Sequence, residues 1–93
     1  MFKPLNPLLN TELRLAIMSL LIANGKAEFN YLKEKTGATA GNLSIQLQKL
    51  KDAKYLEIEK TFKGNYPLTT VTITKEGTAA FKEYISALKT YFK

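Results

Sequence analysis

Neither cysteine nor histidine occurs in the 93 residues of this chain. Disulfides, thiolate nucleophiles, imidazole acid–base chemistry and zinc sites of the ordinary ligand type are thereby excluded. The absence of cysteine also fits an intracellular protein. Arginine occurs once, at Arg14. No apolar run is long: the richest, Leu13 to Ala23, contains Arg14 and reaches about half of the ~20 residues a membrane span requires. The opening MFKPLNPLLN is interrupted by Pro4 and Pro7 and does not read as a signal peptide. The expectation is a soluble, cytoplasmic chain with no membrane partner. Catalytic signatures are missing as well. Ser19, Ser44 and Ser86 have no histidine to activate them, and there is no glycine-rich phosphate loop, nucleophile elbow or metal-spaced carboxylate cluster. No enzyme, metal site or cofactor is expected.

What the chain does have is apolar content, 45%, sufficient for one packed domain, with no room for a second. A domain this small is marginally stable alone, and a partner subunit is a common remedy. Its net charge of +6 is unevenly placed. Residues 25–54 hold Lys26, Lys33, Lys35, Lys49, Lys51 and Lys54 against Glu28, Glu34 and Asp52, half of the excess, whereas residues 55–74 balance. A basic middle segment suits a polyanionic partner; a solvated lysine-rich surface is the alternative.

Pro4 and Pro7 disfavour helix, so residues 1–9 are expected to form an extended N-terminal arm. Asn10 or Thr11 can cap a helix that runs to about Ala23 and stops at Asn24-Gly25. Its apolar residues fall on two faces, Leu13, Ala16, Ile17 and Leu20 on one and Leu15, Met18 and Ile22 on the other. Such a helix is buried nearly all round. Phe29 and Leu32 anchor a short second helix over 28–35, ended at Gly37, and Thr39 caps a third over 40–53. YLEIEKTF (55–62) alternates with Leu56, Ile58 and Phe62 inward, as TVTI (70–73) does with Val71 and Ile73. The turn formers KGNYP (63–67) between them complete a hairpin. Thr74 caps a last helix to about Tyr91, with Phe81, Ile85, Leu88 and Phe92 at helical spacing. The fold class is therefore mainly α with a small β-hairpin, in the order helix, helix, tight turn, helix, hairpin, helix. That is the order of a winged helix-turn-helix occupying residues 10–93.

The stretch FNYLKEKTGATAGNLSIQLQKLKDAKYLEIEKT (29–61) resembles the bacterial winged-helix regulators of the MarR and ArsR type, whose pattern begins F-x-x-L-x-x-x-T-G-x-(S/T). ITKEGTAAF (73–81) is similar to the L-T-x-x-G-x-x-x-(F/L) that leads from their wing into the final helix. The resemblance implies a small single-domain regulator of transcription, more often a repressor, that binds double-stranded DNA as a dimer. It places the helix matching 40–53 in the major groove and the wing matching 60–68 on phosphates or in the minor groove. Metal sensing of the ArsR kind is not expected without Cys or His. There are three departures from the pattern. Lys54 stands where glycine usually turns the chain through a left-handed conformation, which predicts a strained or rerouted C-cap at a cost of roughly 1 kcal/mol. The wing has Lys60 and Lys63 in place of arginine, and Glu28 replaces a small capping residue.

Within TGATAGNLSIQLQKL (36–50), Leu43, Leu47 and Leu50 form a helical core stripe. The opposite side carries Gly41, Asn42, Ile45, Gln48 and Lys49, with Ser44 at its edge. Amides can donate and accept in pairs at an adenine edge, an aliphatic group can meet a thymine methyl, and glycine admits close backbone approach. Gly41, Asn42, Ser44, Ile45 and Gln48 are thus candidates for base readout; Thr39, Lys49, Lys51, Lys60, Lys63 and Asn65 are candidates for backbone contact. The alternative is a tolerated polar surface with one exposed aliphatic residue. Leu15, Met18 and Ile22 of the first helix and Phe81, Ile85, Leu88 and Phe92 near the C-terminus, on the helix of about 75–91, are expected at a homodimer interface. Two recognition helices would then meet a near-palindromic operator. The rival reading is a winged-helix module for protein–protein contact that docks through Ile45. A small-molecule effector between subunits is permitted by the tyrosines and phenylalanines but not indicated.

Overall fold

Among the described residues seven elements follow one another: α1 (Glu12–Asn24), β1 (Lys26–Glu28), α2 (Phe29–Thr36), α3 (Ala40–Asp52), β2 (Leu56–Lys63), β3 (Tyr66–Ile73) and α4 (Lys75–Lys89). The computed structural model describes residues 1–92; Lys93, the end of the expected 10–93 domain, lies outside the described residues. Local chemistry sets most boundaries. Gly37, at φ 72°, takes the left-handed position after α2 and donates its N–H to Lys33 O. Two residues later the Thr39 hydroxyl accepts from Asn42 N at 3.2 Å, which starts α3. The tight turn of the helix-turn-helix is this stop and start in succession. Glu28 precedes α2 without a side-chain cap, as its departure from the pattern implied.

The end of α3 is a Schellman closure. Tyr55 N donates to Leu50 O at 3.0 Å and Lys54 N to Lys51 O at 2.8 Å, with Lys54 at φ 66°. The backbone thus makes the glycine-type turn with a lysine in place. Thr74 ties this turn to the last helix: its hydroxyl donates to Lys54 O at 2.6 Å and accepts from Gly77 N at 2.9 Å. Here glycine is required by space, because a Cβ at Gly77 would lie 2.0 Å from Tyr55 O.

The sheet has three antiparallel strands in the order β1-β3-β2, one more than the expected hairpin. Three residues, KAE, carry too little pattern to announce a strand; β1 exists because Lys26, Ala27 and Glu28 pair with Thr72, Val71 and Thr70. In the hairpin, Lys63 opposes Tyr66, so the loop is Gly64-Asn65 alone. A positive φ at Gly64 and not at Asn65 is the pattern of a type II′ turn. All residues from Glu59 to Pro67 are exposed. Phe62 shares a strand face with Leu56 and Ile58 yet is 76% exposed, because the hairpin has run past the helices by that point. The inward placement expected for it is therefore corrected.

Leu9, Ile17, Met18, Leu21, Leu32, Leu43, Leu47, Leu50, Leu56, Val71 and Tyr84 make one core. Each helix contributes to it, α1 and α3 with three residues each, and the line from α1 is the less obvious one. That line is Ile17, Met18 and Leu21, a stripe that the two-face division had split. Residues 1–9 do not form a free extended arm. The backbone turns at 7–9, Leu9 is fully buried, and Asn6 Nδ2 donates to Tyr55 OH at 2.9 Å. Asn10 does not cap α1; its Oδ1 accepts from the buried Tyr84 hydroxyl at 2.8 Å. At the far end of α4 the Phe2 and Tyr91 rings stack 4.9 Å apart, and Tyr91 OH donates to Lys3 O.

Candidate nucleic-acid interface

Three leucines turn α3. Leu43, Leu47 and Leu50 are at most 2% exposed, and this fixes which residues look outward. Gly41, Asn42, Ser44, Gln48, Lys49 and Lys51 are all exposed, and Ile45 is 56% exposed. A Cβ at Gly41 would find open space, so the helix surface there admits another backbone. Thr39 is exposed too, with its hydroxyl engaged at the N-cap.

Beside this face runs an open cleft of about 530 Å³. Ser44, Gln48 and Lys51 form one wall; Ile58 and Lys60 of β2 with Thr69 of β3 form the other; Phe29 and Leu47 lie at its base. The fold therefore sets one lysine from α3 and one from the wing against the same concavity. Lys49 does not line the cleft, and Lys63 and Asn65 lie at the wing tip. Tyr66, also at the tip, is 78% exposed. Phe29 and Thr69 were not among the sequence candidates, since only the packing of β2 and β3 beside α3 brings them there.

The amides are less free than expected. Gln48 Nε2 donates to Asp52 Oδ1 at 2.8 Å, and Asn42 Oδ1 accepts from Gln46 Nε2 at 3.0 Å. Paired readout of adenine by either amide begins with one of its two groups already engaged. For Gln48 the engagement is minor: an exposed i,i+4 pair is worth about 0.2–0.5 kcal/mol, against roughly 1–3 kcal/mol for a bidentate base contact. Asn42 differs because its partner is itself held. Arg14 Nη1 donates to Gln46 Oε1 at 2.5 Å, and Arg14 Nε donates to Leu8 O at 2.6 Å. The sole arginine thus reaches α3 from α1, and Gln46 is half-buried. An i,i+4 amide pair at 42 and 46 is visible in the sequence; its link to Arg14 is not.

The surface expected for a second subunit is mixed. Met18 is fully buried within the protomer, which removes it from any such surface. It lies about 60° around the helix from Leu21, close enough to share its burial. Leu15, Ile22, Phe81, Ile85 and Leu88 are half-buried, and Phe92 is 64% exposed. Phe2, stacked on Tyr91, is 67% exposed. Among the described residues, no helix is long and apolar enough to cross a membrane, and no His, Cys, Asp and Glu cluster could hold a metal ion.

Residues 13–92 match the family model of a winged helix DNA-binding domain. An uncharacterized protein of Methanocaldococcus jannaschii is 41% identical over 76 residues, which span 82% of this chain and 83% of that one. Among solved structures, the transcriptional regulator homologue from Pyrococcus horikoshii OT3 superposes with a TM-score of 0.85 at 30% identity, covering 90% of this chain and 83% of that one. A transcriptional regulator of the MarR family from Enterococcus faecalis V583 shares the fold at a TM-score of 0.73 and 23% identity, over 90% of this chain and 74% of that one. The chain belongs to the winged helix DNA-binding domain family.

Proposed function

We propose that this chain represses transcription by binding a near-palindromic DNA site as a homodimer. The observation that carries the reading is the orientation of α3: its leucines are buried while Asn42, Ser44, Ile45 and Gln48 lie on an open face beside Lys51 and Lys60. In this arrangement α3 enters the major groove, Gly41 admits close approach, and the polar face meets base edges. Thr39, Lys49, Lys51, Lys60, Lys63 and Asn65 contact the sugar-phosphate backbone, and the four lysines supply affinity by releasing counterions. Leu15 and Ile22 of α1, with Phe81, Ile85, Leu88 and Phe92, join two protomers. Their recognition helices then lie roughly 34–36 Å apart, one turn of the duplex.

Selection of bound sequences from a random DNA pool tests the whole reading. A palindromic consensus with steeply salt-dependent affinity is expected. Weak, salt-insensitive association without sequence enrichment would sink it and favour a protein-docking role for the face around Ile45.

A further inference from the structure

We infer that Arg14 and Gln46 set the polarity of the Asn42 amide and so make Asn42 a hydrogen-bond donor toward DNA, selecting guanine rather than adenine or cytosine. The inference rests on the proposed DNA readout and deepens it. Arginine carries donors only. Held by Leu8 O through Nε, Arg14 offers Nη1 to Gln46, and Gln46 can meet it only with Oε1. The Gln46 Nε2 group is then directed at Asn42, which must answer with Oδ1. The orientation of both amides follows from this order of donors and acceptors, and Nδ2 of Asn42 is left for the groove. Turning Asn42 over would set its NH2 against that of Gln46. In the major groove, guanine presents N7 and O6, two adjacent acceptors, whereas cytosine presents the N4 donor and adenine pairs its N7 with a donor. An outward NH2 group fits guanine best. Gln46 and Arg14 need touch no base; they are positioning residues, and the docked segment at Leu8 is the fixed end of the relay.

Gln46→Glu reverses the relay without removing it. One carboxylate oxygen accepts from Arg14 and the other accepts from Asn42, which then turns Nδ2 inward and Oδ1 outward. Binding-site selection with the full chain should show guanine at one position of each half-site for the wild type. For Gln46→Glu, that position should change to a base that presents a donor, cytosine or adenine, with a preference shift of about tenfold. A merely structural role for Gln46 would weaken all sequences and leave the base unchanged. If the wild type enriches no sequence, the DNA-readout proposal falls and this inference with it. If the wild type enriches a site and Gln46→Glu enriches the same base there, the relay alone is overturned. Side-chain amide exchange in the DNA-free wild type provides a measurement that needs no variant: a slowed Gln46 NH2 proton with freely exchanging Asn42 protons supports the relay, and the reverse order refutes it.

Discussion

Replacing Lys54 by glycine should stabilise the protein. Lys54 is at φ 66°, in the left-handed region, where an L-residue with a Cβ is strained by roughly 1–2 kcal/mol. Both Schellman hydrogen bonds, Tyr55 N to Leu50 O and Lys54 N to Lys51 O, are made by backbone and survive the change. The exposed lysine side chain adds little. Against the relief of strain stands the greater freedom of glycine in the unfolded chain, about 0.5–1 kcal/mol. A net gain of about 0.5–1 kcal/mol remains, which for a domain of this size raises Tm by roughly 2–8 °C. Thermal unfolding followed by circular dichroism reads it directly, at fixed protomer concentration because association also moves Tm. Lys54→Ala is the control: it removes the same side chain but keeps the Cβ, so its Tm should not rise. Equal gains for alanine and glycine, or a lower Tm for glycine, would show that the left-handed backbone stores no strain here.

Gly77→Ala should do the opposite, since its Cβ would stand 2.0 Å from Tyr55 O and the backbone must move; a loss of at least the 1–3 kcal/mol typical of overpacking is expected in the same melt. Tyr84→Phe keeps the ring in the core but leaves Asn10 Oδ1 without its 2.8 Å donor, and should lower stability by about 0.5–1.5 kcal/mol in urea titration. Lys63→Ala at the wing should weaken binding to every DNA sequence alike and reduce the slope of log affinity against log salt by about one unit; a change in base preference would contradict its assignment to the backbone.

The helices were legible because their signals are local. Thr39 followed by leucines at 43, 47 and 50 gives both a start and a buried face, and both are found. Lys54 was legible as a strained or rerouted cap by contrast with a pattern that has glycine there, and of the two the backbone takes the strained one, with a positive φ. What escaped depended on partners distant in the chain. β1 is defined by its pairing with β3, and Leu9 by the core it enters from an irregular segment. Phe62 alternates correctly but has nothing to pack against, since alternation states a side of the sheet and not the reach of the layer beneath it. Met18 erred the other way, where an evenly apolar helix gives no unique buried line. The amide face of α3 was foreseeable, whereas the hydrogen bonds that orient Asn42 run through Arg14, 28 positions upstream of it by the numbering, and cannot be read from periodicity.

From Glu59 to Pro67 the hairpin is a two-stranded ribbon bathed in water on both sides. Such a ribbon is held by little more than its own ladder and a two-residue turn, and its amides should open at a small fraction of the global unfolding free energy. The molecule therefore pairs a stiff part with a compliant one. In the proposed complex α3 would arrive with its shape already determined, while the tip would settle onto whatever groove width the duplex offers.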